Sequence, residues 1–215
     1  MGVAFINSLN SCGVIGLWEI TAPYKEMESK YQLQKGDMAS MEGISNEARK
    51  MQVLCTRLLI REMDPGIDTS LLTRDAIGMP YFKEAGPKIS ISHSGKYVTV
   101  SLSFQHNTGI DIEKIGEKVN RIQDKFMNNA EKICGLDQNS DCINEYQHVI
   151  WGAKEALFKL YGRGGVNFKE DLLVKPFQYQ GKGCFNGKID KADFEQTFSI
   201  NYERIGDYML VYVFG

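Results

Sequence analysis

The residues of this sequence that could do chemistry begin with two carboxylates placed two positions apart. Asp111 and Glu113 lie in the run Gly-Ile-Asp-Ile-Glu at 109–113. Side chains alternate between the two faces of a strand, so both carboxylates point one way while Ile110 and Ile112 point into the core. Two carboxylates side by side repel unless a positive charge lies between them. The pair indicates either a cation site or an exposed acidic strand end.

A helical run at 151–159, Trp-Gly-Ala-Lys-Glu-Ala-Leu-Phe-Lys, carries a third carboxylate. Lys154, Glu155 and Lys159 lie on or near one face, because positions four apart are neighbours on a helix. An exposed ion pair of Glu155 with Lys159 would be the simplest explanation. The apolar residues around these charges instead predict a half-buried face whose charged groups need partners.

Together the two runs predict one divalent-metal site for chemistry on a pyrophosphate. Asp111, Glu113 and Glu155 supply oxygen ligands, which Mg²⁺ prefers, and waters and phosphate oxygens would complete its shell. Lysines beside the metal would neutralise phosphate charge.

His93 lies between Ser92 and Ser94 at the end of an alternating strand. It is either a solvent-exposed hairpin histidine or a donor to phosphate, helped by the neighbouring hydroxyls. His106 and His148 have no comparable context, and we interpret both as structural.

The elements that must position these residues follow from periodicity and turn signals. Apolar spacing predicts a helix over 46–63, ended by an Asp-Pro-Gly sequence, and a second helix over 145–161, ended by Gly162. Alternation predicts a hairpin of 88–94 with 97–103 and strands at 14–20, 196–204 and 208–214. A further strand ends at 113, and 121–134 is expected to be helical.

Composition limits the class of protein. The chain has 215 residues, 43% hydrophobic and 24% charged, with a net charge of −2. This is ordinary globular composition for one large domain or two small ones, and it favours neither a nucleic-acid partner nor a membrane. No apolar run reaches the roughly 20 residues of a membrane span, and the first residues do not resemble a secretory signal. Five dispersed cysteines without a Cys-x-x-Cys pair predict reduced thiols and a cytoplasmic location.

The strings together resemble the 4'-phosphopantetheinyl transferase superfamily, in its Sfp-like branch. The family's Gly-(Ile/Val)-Asp-(Ile/Val)-Glu strand and its Trp-x-x-Lys-Glu-Ala-x-x-Lys helix are both matched in full, at 109–113 and 151–159. The Ser-His-Ser turn is matched at 92–94, and the Gly-(Lys/Arg)-Pro-Tyr segment is matched in part at 78–81. The four blocks stand in family order and cover 78–159.

The resemblance implies an α+β fold, the 4'-phosphopantetheinyl transferase fold, in which two similar halves are related by pseudo-twofold symmetry. We expect the halves at 1–104 and 105–215, with the metal site in the second half and coenzyme A in the cleft between them. The helix-then-hairpin order, which occurs twice, is consistent with this expectation. Family members of this size usually act as monomers, so the resemblance implies that this protein is a monomer.

The resemblance also implies an activity. The protein would transfer the 4'-phosphopantetheine arm of coenzyme A to a serine of an apo acyl or peptidyl carrier protein and release 3',5'-ADP, as a holo-acyl-carrier-protein synthase does in fatty acid biosynthesis. Asp111, Glu113 and Glu155 would hold Mg²⁺. Glu155 would also activate the carrier serine, and Lys159 with Lys154 would bind the pyrophosphate.

The remaining implied contacts are with coenzyme A. Ser92 and His93 would touch its phosphates, with His93 nearest the 3'-phosphate, while Pro80 and Tyr81 belong to the partly matched segment. Met79 departs from the family, which has Lys or Arg there. Charge for the nucleotide end could come instead from the first long helix, through Arg49, Lys50 or Arg57.

Two other functions stay open. One is a Mg²⁺-dependent nucleotide or pyrophosphate hydrolase that uses the same carboxylates with water as nucleophile. The other is a non-catalytic module that binds coenzyme A or a carrier. The carrier is not identified by the sequence. Four apolar residues between the two motifs are interpreted either as its docking surface or as core: Ile122, Phe126, Met127 and Ile133.

Overall fold

In a computed structural model, which describes residues 2–9, 11–31, 33 and 35–215, most of the predicted alternating segments form antiparallel strands. The chain divides into two compact units, residues 1–105 and 106–215. The division lies one residue from the boundary expected from the sequence. Each unit contains helices packed on an antiparallel sheet, which confirms the α+β class.

In its described residues, the first unit contains a four-stranded sheet, a two-stranded sheet and three α-helices. The four-stranded sheet has the order β1-β2-β6-β5, and β3 pairs with β4. In chain order the elements are β1 Val3–Leu9, β2 Gly13–Glu19, α1 Tyr24–Lys30, α2 Lys35–Met41, α3 Glu47–Met63, β3 Leu72–Arg74, β4 Pro80–Phe82, β5 Lys88–Ser94 and β6 Tyr97–Ser103.

Helix α3 is the central helix of this unit, and it packs on β2 and β6. It begins after Asn46, whose side chain accepts a hydrogen bond from the backbone of Arg49 at 2.9 Å and so caps the helix. Its apolar stripe, which includes Leu54 and Leu59, is fully buried. The predicted helix and the predicted hairpin of β5 with β6 are both confirmed.

The second unit contains a five-stranded sheet of order β7-β11-β10-β9-β8 and three α-helices. In chain order the elements are β7 Thr108–Lys114, α4 Glu117–Phe126, α5 Asn129–Leu136, α6 Ile143–Tyr161, β8 Leu172–Val174, β9 Lys182–Lys191, β10 Phe194–Ile205 and β11 Tyr208–Phe214. Helix α6 packs mainly on β7 and β11. It ends at Gly162, which takes the left-handed conformation predicted for a C-cap, with φ 66°.

The helical region predicted around 121–134 is confirmed, and it consists of two helices, α4 and α5. The first helix ends at Phe126 with Met127 as its C-cap, and Asn128 caps the second. Its side chain accepts a hydrogen bond from the Glu131 backbone while Glu131 accepts one from the Asn128 backbone, both at 2.9 Å. This reciprocal capping box favours a new helix start over continuation.

Burial shows which of the four apolar residues between the two motifs belong to the core and which lie at the surface. Phe126 and Met127 are each 1% exposed and belong to the core of the second unit. Ile122 packs partly against that core, whereas Ile133 is 62% exposed.

All five cysteines lie in the described part of the chain and are free thiols. Among the described residues, no helix combines the length and the apolar character that a membrane span requires.

Candidate active site

Two glycines let helix α6 approach the sheet closely enough to form a site. A Cβ atom on Gly109 would lie 1.8 Å from the carbonyl oxygen of Ala156, and one on Gly152 would lie 2.7 Å from Cγ2 of Val211. The backbones of β7 and α6 are therefore in direct contact. Gly109 shares its strand face with Asp111 and Glu113, so the end of α6 lies against the face that carries both carboxylates.

Lys159 links α6 to the carboxylates of β7. Its Nζ donates to Asp111 Oδ1 at 2.8 Å and to the carbonyl oxygen of Ile110 at 2.9 Å. Asp111 is buried and Lys159 is mostly buried. The predicted strand is confirmed, and both of its faces are buried from Thr108 to Ile112.

Glu155, one helical turn before Lys159, is electrostatically coupled to both strand carboxylates. The pKa of Glu155 is raised from the ordinary 4.5 to about 7, and burial is the largest cause. The negative charge of Asp111 contributes to this rise, Lys159 opposes it, and Glu113 adds to it. The three carboxylates predicted from the sequence as metal ligands thus act on one another. A carboxyl group with a pKa near neutral can accept a proton at physiological pH.

The chemistry of this donor set suits a divalent cation, because it consists of oxygen ligands whose mutual repulsion a cation would relieve. The geometry is not that of a formed metal site. Within the described residues, no group of three or more His, Cys, Asp or Glu side chains is arranged to hold a metal ion.

A narrow stripe of α6 remains accessible around Glu155. Within the described stretch 146–161, four residues are half-buried and the others are buried: Trp151, Glu155, Phe158 and Lys159. Their spacing of four, three and one puts them on a single helix face. The Phe168 ring extends this face, with its centroid 5.8 Å from Trp151 and 5.5 Å from Phe158. The stripe offers charged groups at one edge and aromatic rings at the other.

Lys154 is not part of this stripe, although it is next to Glu155 in sequence. Neighbouring residues lie about 100° apart around a helix, and Lys154 points into the interior, where it is 0% exposed. Its Nζ donates to Phe126 O at 2.6 Å, Glu131 Oε2 at 2.8 Å and Phe168 O at 2.9 Å. All three ammonium protons have partners, and this contradicts the predicted contact of Lys154 with a pyrophosphate.

The first unit contains a basic cavity of about 410 Å³. Arg49 and His93 are in hydrogen-bond contact at its wall, and Arg49 acts as the donor to the ring Nε2. Arg57, Arg74 and Pro80 also line the cavity. Burial and the charge of Arg49 both lower the pKa of Arg74, as expected for two cations at one wall of a cavity.

Strand alternation separates the predicted contacts in this unit into two groups. Ile91 and His93 line the cavity from one face of β5, so Ser92 between them points to the opposite face and is buried. Pro80 lines the cavity from β4, whereas Tyr81 is 45% exposed and does not belong to its lining. Lys50 does not line the cavity either.

Arg74 is the residue that sequence reasoning missed. It ends β3 and pairs directly with Pro80 of β4, and its guanidinium donates to the carbonyl oxygen of Gly78 at 2.6 Å. The signal was present, because the turn Asp-Ala-Ile-Gly at 75–78 separates two short strands and places Arg74 opposite Pro80. Arg74 therefore brings a basic side chain to the cavity. It does so close to Met79, which occupies the position where the family motif has Lys or Arg.

His148 is a structural residue, as predicted. It is fully buried in α6. Its Nδ1 contacts the carbonyl oxygen of Asn144 at 2.8 Å, and its Nε2 accepts a hydrogen bond from the Gly116 backbone at 3.1 Å. An imidazole with one donor and one acceptor nitrogen is neutral, and burial lowers the pKa of His148.

Comparison with known proteins points to one family. Residues 107–208, which include both long motifs, match the model of the 4'-phosphopantetheinyl transferase superfamily. The chain is also similar to the 4'-phosphopantetheinyl transferase gsp of Aneurinibacillus migulanus, with 30% identity over 115 residues. That alignment covers 53% of this chain and 47% of the relative, so the match spans about half the length of each protein.

Proposed function

We propose that the chain transfers the 4'-phosphopantetheine arm of coenzyme A to a serine of an apo carrier protein, because residues 107–208 match the model of the 4'-phosphopantetheinyl transferase superfamily. The observation that carries the proposal is the coupled group of Asp111, Glu113 and Glu155 beside Lys159. This group lies within the residues that match the family. The protein then acts in the cytoplasm as a monomer, with coenzyme A and a carrier protein as its partners.

The bond changes of the reaction assign work to these residues. The serine Oγ attacks the phosphorus that carries the pantetheine arm, and an O–P bond forms. The bond from that phosphorus to the bridging oxygen breaks, and 3',5'-ADP leaves with the bridging oxygen. Glu155 takes the serine proton, directly or through water. Lys159 has one N–H beyond its two present hydrogen bonds, and this N–H can donate to a phosphate oxygen.

Asp111, Glu113 and Glu155 would hold Mg²⁺. The metal would neutralise the pyrophosphate charge that builds up as the nucleotide departs. The support for this assignment is the oxygen donor set and the repulsion within it.

The cavity of the first unit is the proposed site for the 3'-phosphate of coenzyme A. Arg49, Arg74 and His93 surround it with donors suited to a phosphate dianion. Arg74 supplies the positive charge that Met79 lacks, and it does so from the neighbouring strand rather than from the motif itself.

The direct test incubates the protein with coenzyme A, Mg²⁺ and an apo acyl carrier protein, and the carrier mass is measured. We expect a gain of one phosphopantetheine group for the wild type. Glu155→Gln should lower the rate on the order of a hundredfold, because a neutral amide cannot accept the serine proton. Glu195→Gln on β10 is the matched control and should leave the rate unchanged, since Glu195 is exposed and paired with Lys188.

Two outcomes would favour the alternative functions. Release of 3',5'-ADP without modification of the carrier would indicate a hydrolase. Binding of coenzyme A with no chemical change to either partner would indicate a non-catalytic binding module.

A further inference from the structure

Behind the accessible stripe of α6, the ion pair of Lys154 with Glu131 joins separate segments of the second unit. The two charged side chains are 0% and 1% exposed. The Lys154 ammonium holds the carbonyl oxygens of Phe126 and Phe168 in addition to the carboxylate. The end of α4, the start of α5 and the loop after α6 therefore meet at one nitrogen atom.

Glu131 extends this network to the sheet. Its Oε1 accepts a hydrogen bond from the Val174 backbone of β8 at 2.9 Å. Its Oε2 accepts one from the Asn128 backbone, also at 2.9 Å. One buried carboxylate thus fixes both the start of α5 and the end of β8 relative to α6.

The two carbonyl partners of Lys154 are the residues whose rings surround Trp151. The Phe126 ring meets the Trp151 ring edge-on at 5.0 Å between centroids, and the Phe168 ring lies at 5.8 Å. The Lys154 ammonium therefore fixes the backbone of Phe126 and Phe168, and the rings of these two residues pack against the Trp151 ring. Trp151 is one helical turn before Glu155 on the same stripe.

We propose that Lys154 and Glu131 are positioning residues that set Trp151 and Glu155 for the transfer reaction without touching the substrate. The proposal rests on the function proposed above. Three acceptors converge on one buried point, and an ammonium group is the side-chain group that can donate to three of them from a single atom. A planar guanidinium would distribute its donors differently. The complete use of the Lys154 donors leaves none for a phosphate.

The experiment compares Lys154→Met/Glu131→Gln with the unchanged pair. The double change avoids leaving one buried charge alone, which would destabilise the fold strongly. All proteins carry Trp18→Phe, so that Trp151, the second of the two tryptophans in the chain, is the fluorescent reporter. Ile189→Ala, in the core at β9, is the control for loss of stability alone. Measurements are made well below the melting temperature of every variant.

Relative to the protein that carries Trp18→Phe alone, we expect the double variant to lower kcat on the order of tenfold or more while the KM for coenzyme A stays within about twofold. Trp151 emission should shift to longer wavelength and become more accessible to iodide. Ile189→Ala should change neither kcat nor emission. If the double variant does not fold, Glu131→Asp serves instead. It keeps the charge but is too short to hold both Lys154 and Val174, and it should give smaller changes in the same direction.

Three results would overturn the proposal. An unchanged kcat with a lower melting temperature would show a purely structural pair. A raised KM for coenzyme A with unchanged kcat would make Lys154 a substrate ligand. Unchanged Trp151 emission would show that the pair does not set the stripe. The emission is recorded without substrate, so it still decides this point if the wild type fails to modify a carrier and the proposed function is wrong.

Discussion

At the scale of single residues, the environment of Glu155 lowers the stability of the fold and makes this carboxyl group a better base. Glu155 is held where burial and two neighbouring carboxylates make its charged form costly. The same environment gives it a pKa near the pH at which a general base is useful. Clusters of like charge at functional sites commonly lower the stability of the fold in this way.

Because the charged form of Glu155 destabilises the fold, we predict that Glu155→Gln stabilises the metal-free protein. The folded-state pKa of about 7 lies above the ordinary value of 4.5, so the folded state binds more protons between these values. Wild-type stability therefore falls as pH rises from about 4.5 through 7, and the amide avoids this loss. At pH 8 in EDTA, the variant should gain roughly 2 kcal/mol, after allowance for the partial exposure of the group. Thermal unfolding measures the difference.

Added Mg²⁺ provides the second half of this test. It should raise the melting temperature of the wild type and of Glu195→Gln, but raise that of Glu155→Gln much less, because one of the three ligands has lost its charge. A variant that melts below the wild type in EDTA would contradict the role of repulsion at Glu155.

His148 predicts a pH dependence of the opposite kind. Burial lowers its folded-state pKa below the ordinary 6.5, so below that pH the unfolded chain takes up a proton before the folded protein does. The contribution of His148 is complete above about pH 6.5 and is lost as pH falls toward the folded pKa. The stability of the wild type relative to His148→Gln should therefore decrease from pH 7 to pH 5 in urea unfolding. A constant difference across this range would show that His148 does not titrate on unfolding.

At the scale of elements, the site depends on how closely α6 approaches β7. Gly109 and Gly152 permit backbone contact between the helix and the sheet. Lys159 then spans the short remaining distance to Asp111. Tight helix-on-sheet packing thus brings a carboxylate pair from a strand together with a carboxylate and a lysine from a helix.

Gly109→Ala is predicted to destabilise the protein by about 3 kcal/mol or more, because the new methyl group meets backbone that cannot move without displacing α6. Gly164→Ala is the matched control, since a Cβ there meets nothing within 4 Å and the backbone is not left-handed. The control should be neutral or slightly stabilising. Denaturant unfolding compares the two, and equal stability of both variants would contradict the close contact.

At the scale of the whole molecule, the groups proposed to bind the 3'-phosphate and the metal are divided between two units. The basic cavity belongs to residues 1–105 and the acidic group to residues 106–215. Each unit has its own hydrophobic core, so each set of functional residues rests on a separate packed support.

Because the two groups lie in different units, we expect a substitution in each unit to weaken the binding of a different ligand. Arg74→Met should weaken binding of 3',5'-ADP by roughly 2 kcal/mol, about thirtyfold, because a charge-assisted hydrogen bond to phosphate is lost. It should affect dephospho-coenzyme A, which lacks the 3'-phosphate, far less. Stabilisation by Mg²⁺ should remain. Asp111→Asn should show the reverse pattern. Calorimetry with each ligand measures the effects, and equal loss of both nucleotides in Arg74→Met would exclude a 3'-phosphate site at Arg74.

The amino-acid sequence by itself determined the elements and the reactive residue types. Apolar spacing located α3 and α6, alternation located the β5–β6 hairpin and β7, and the acidic motifs supplied Asp111, Glu113 and Glu155. These features follow from local periodicity and from motifs of fixed spacing, which require no knowledge of distant contacts. The two long motifs lie within residues 107–208, which match the superfamily model.

Tertiary structure alone decided which side each reactive residue faces. Lys154 and Glu155 are adjacent in sequence, yet Lys154 is buried in an ion pair with Glu131 whereas Glu155 is partly accessible. Arg74 is five residues from Met79 and reaches the cavity only because β3 pairs with β4. The physical reason is that burial and charge coupling arise from segments distant in the chain. The pattern within one segment therefore names a candidate acid or base, and the packing of other segments sets its pKa and its access to substrate.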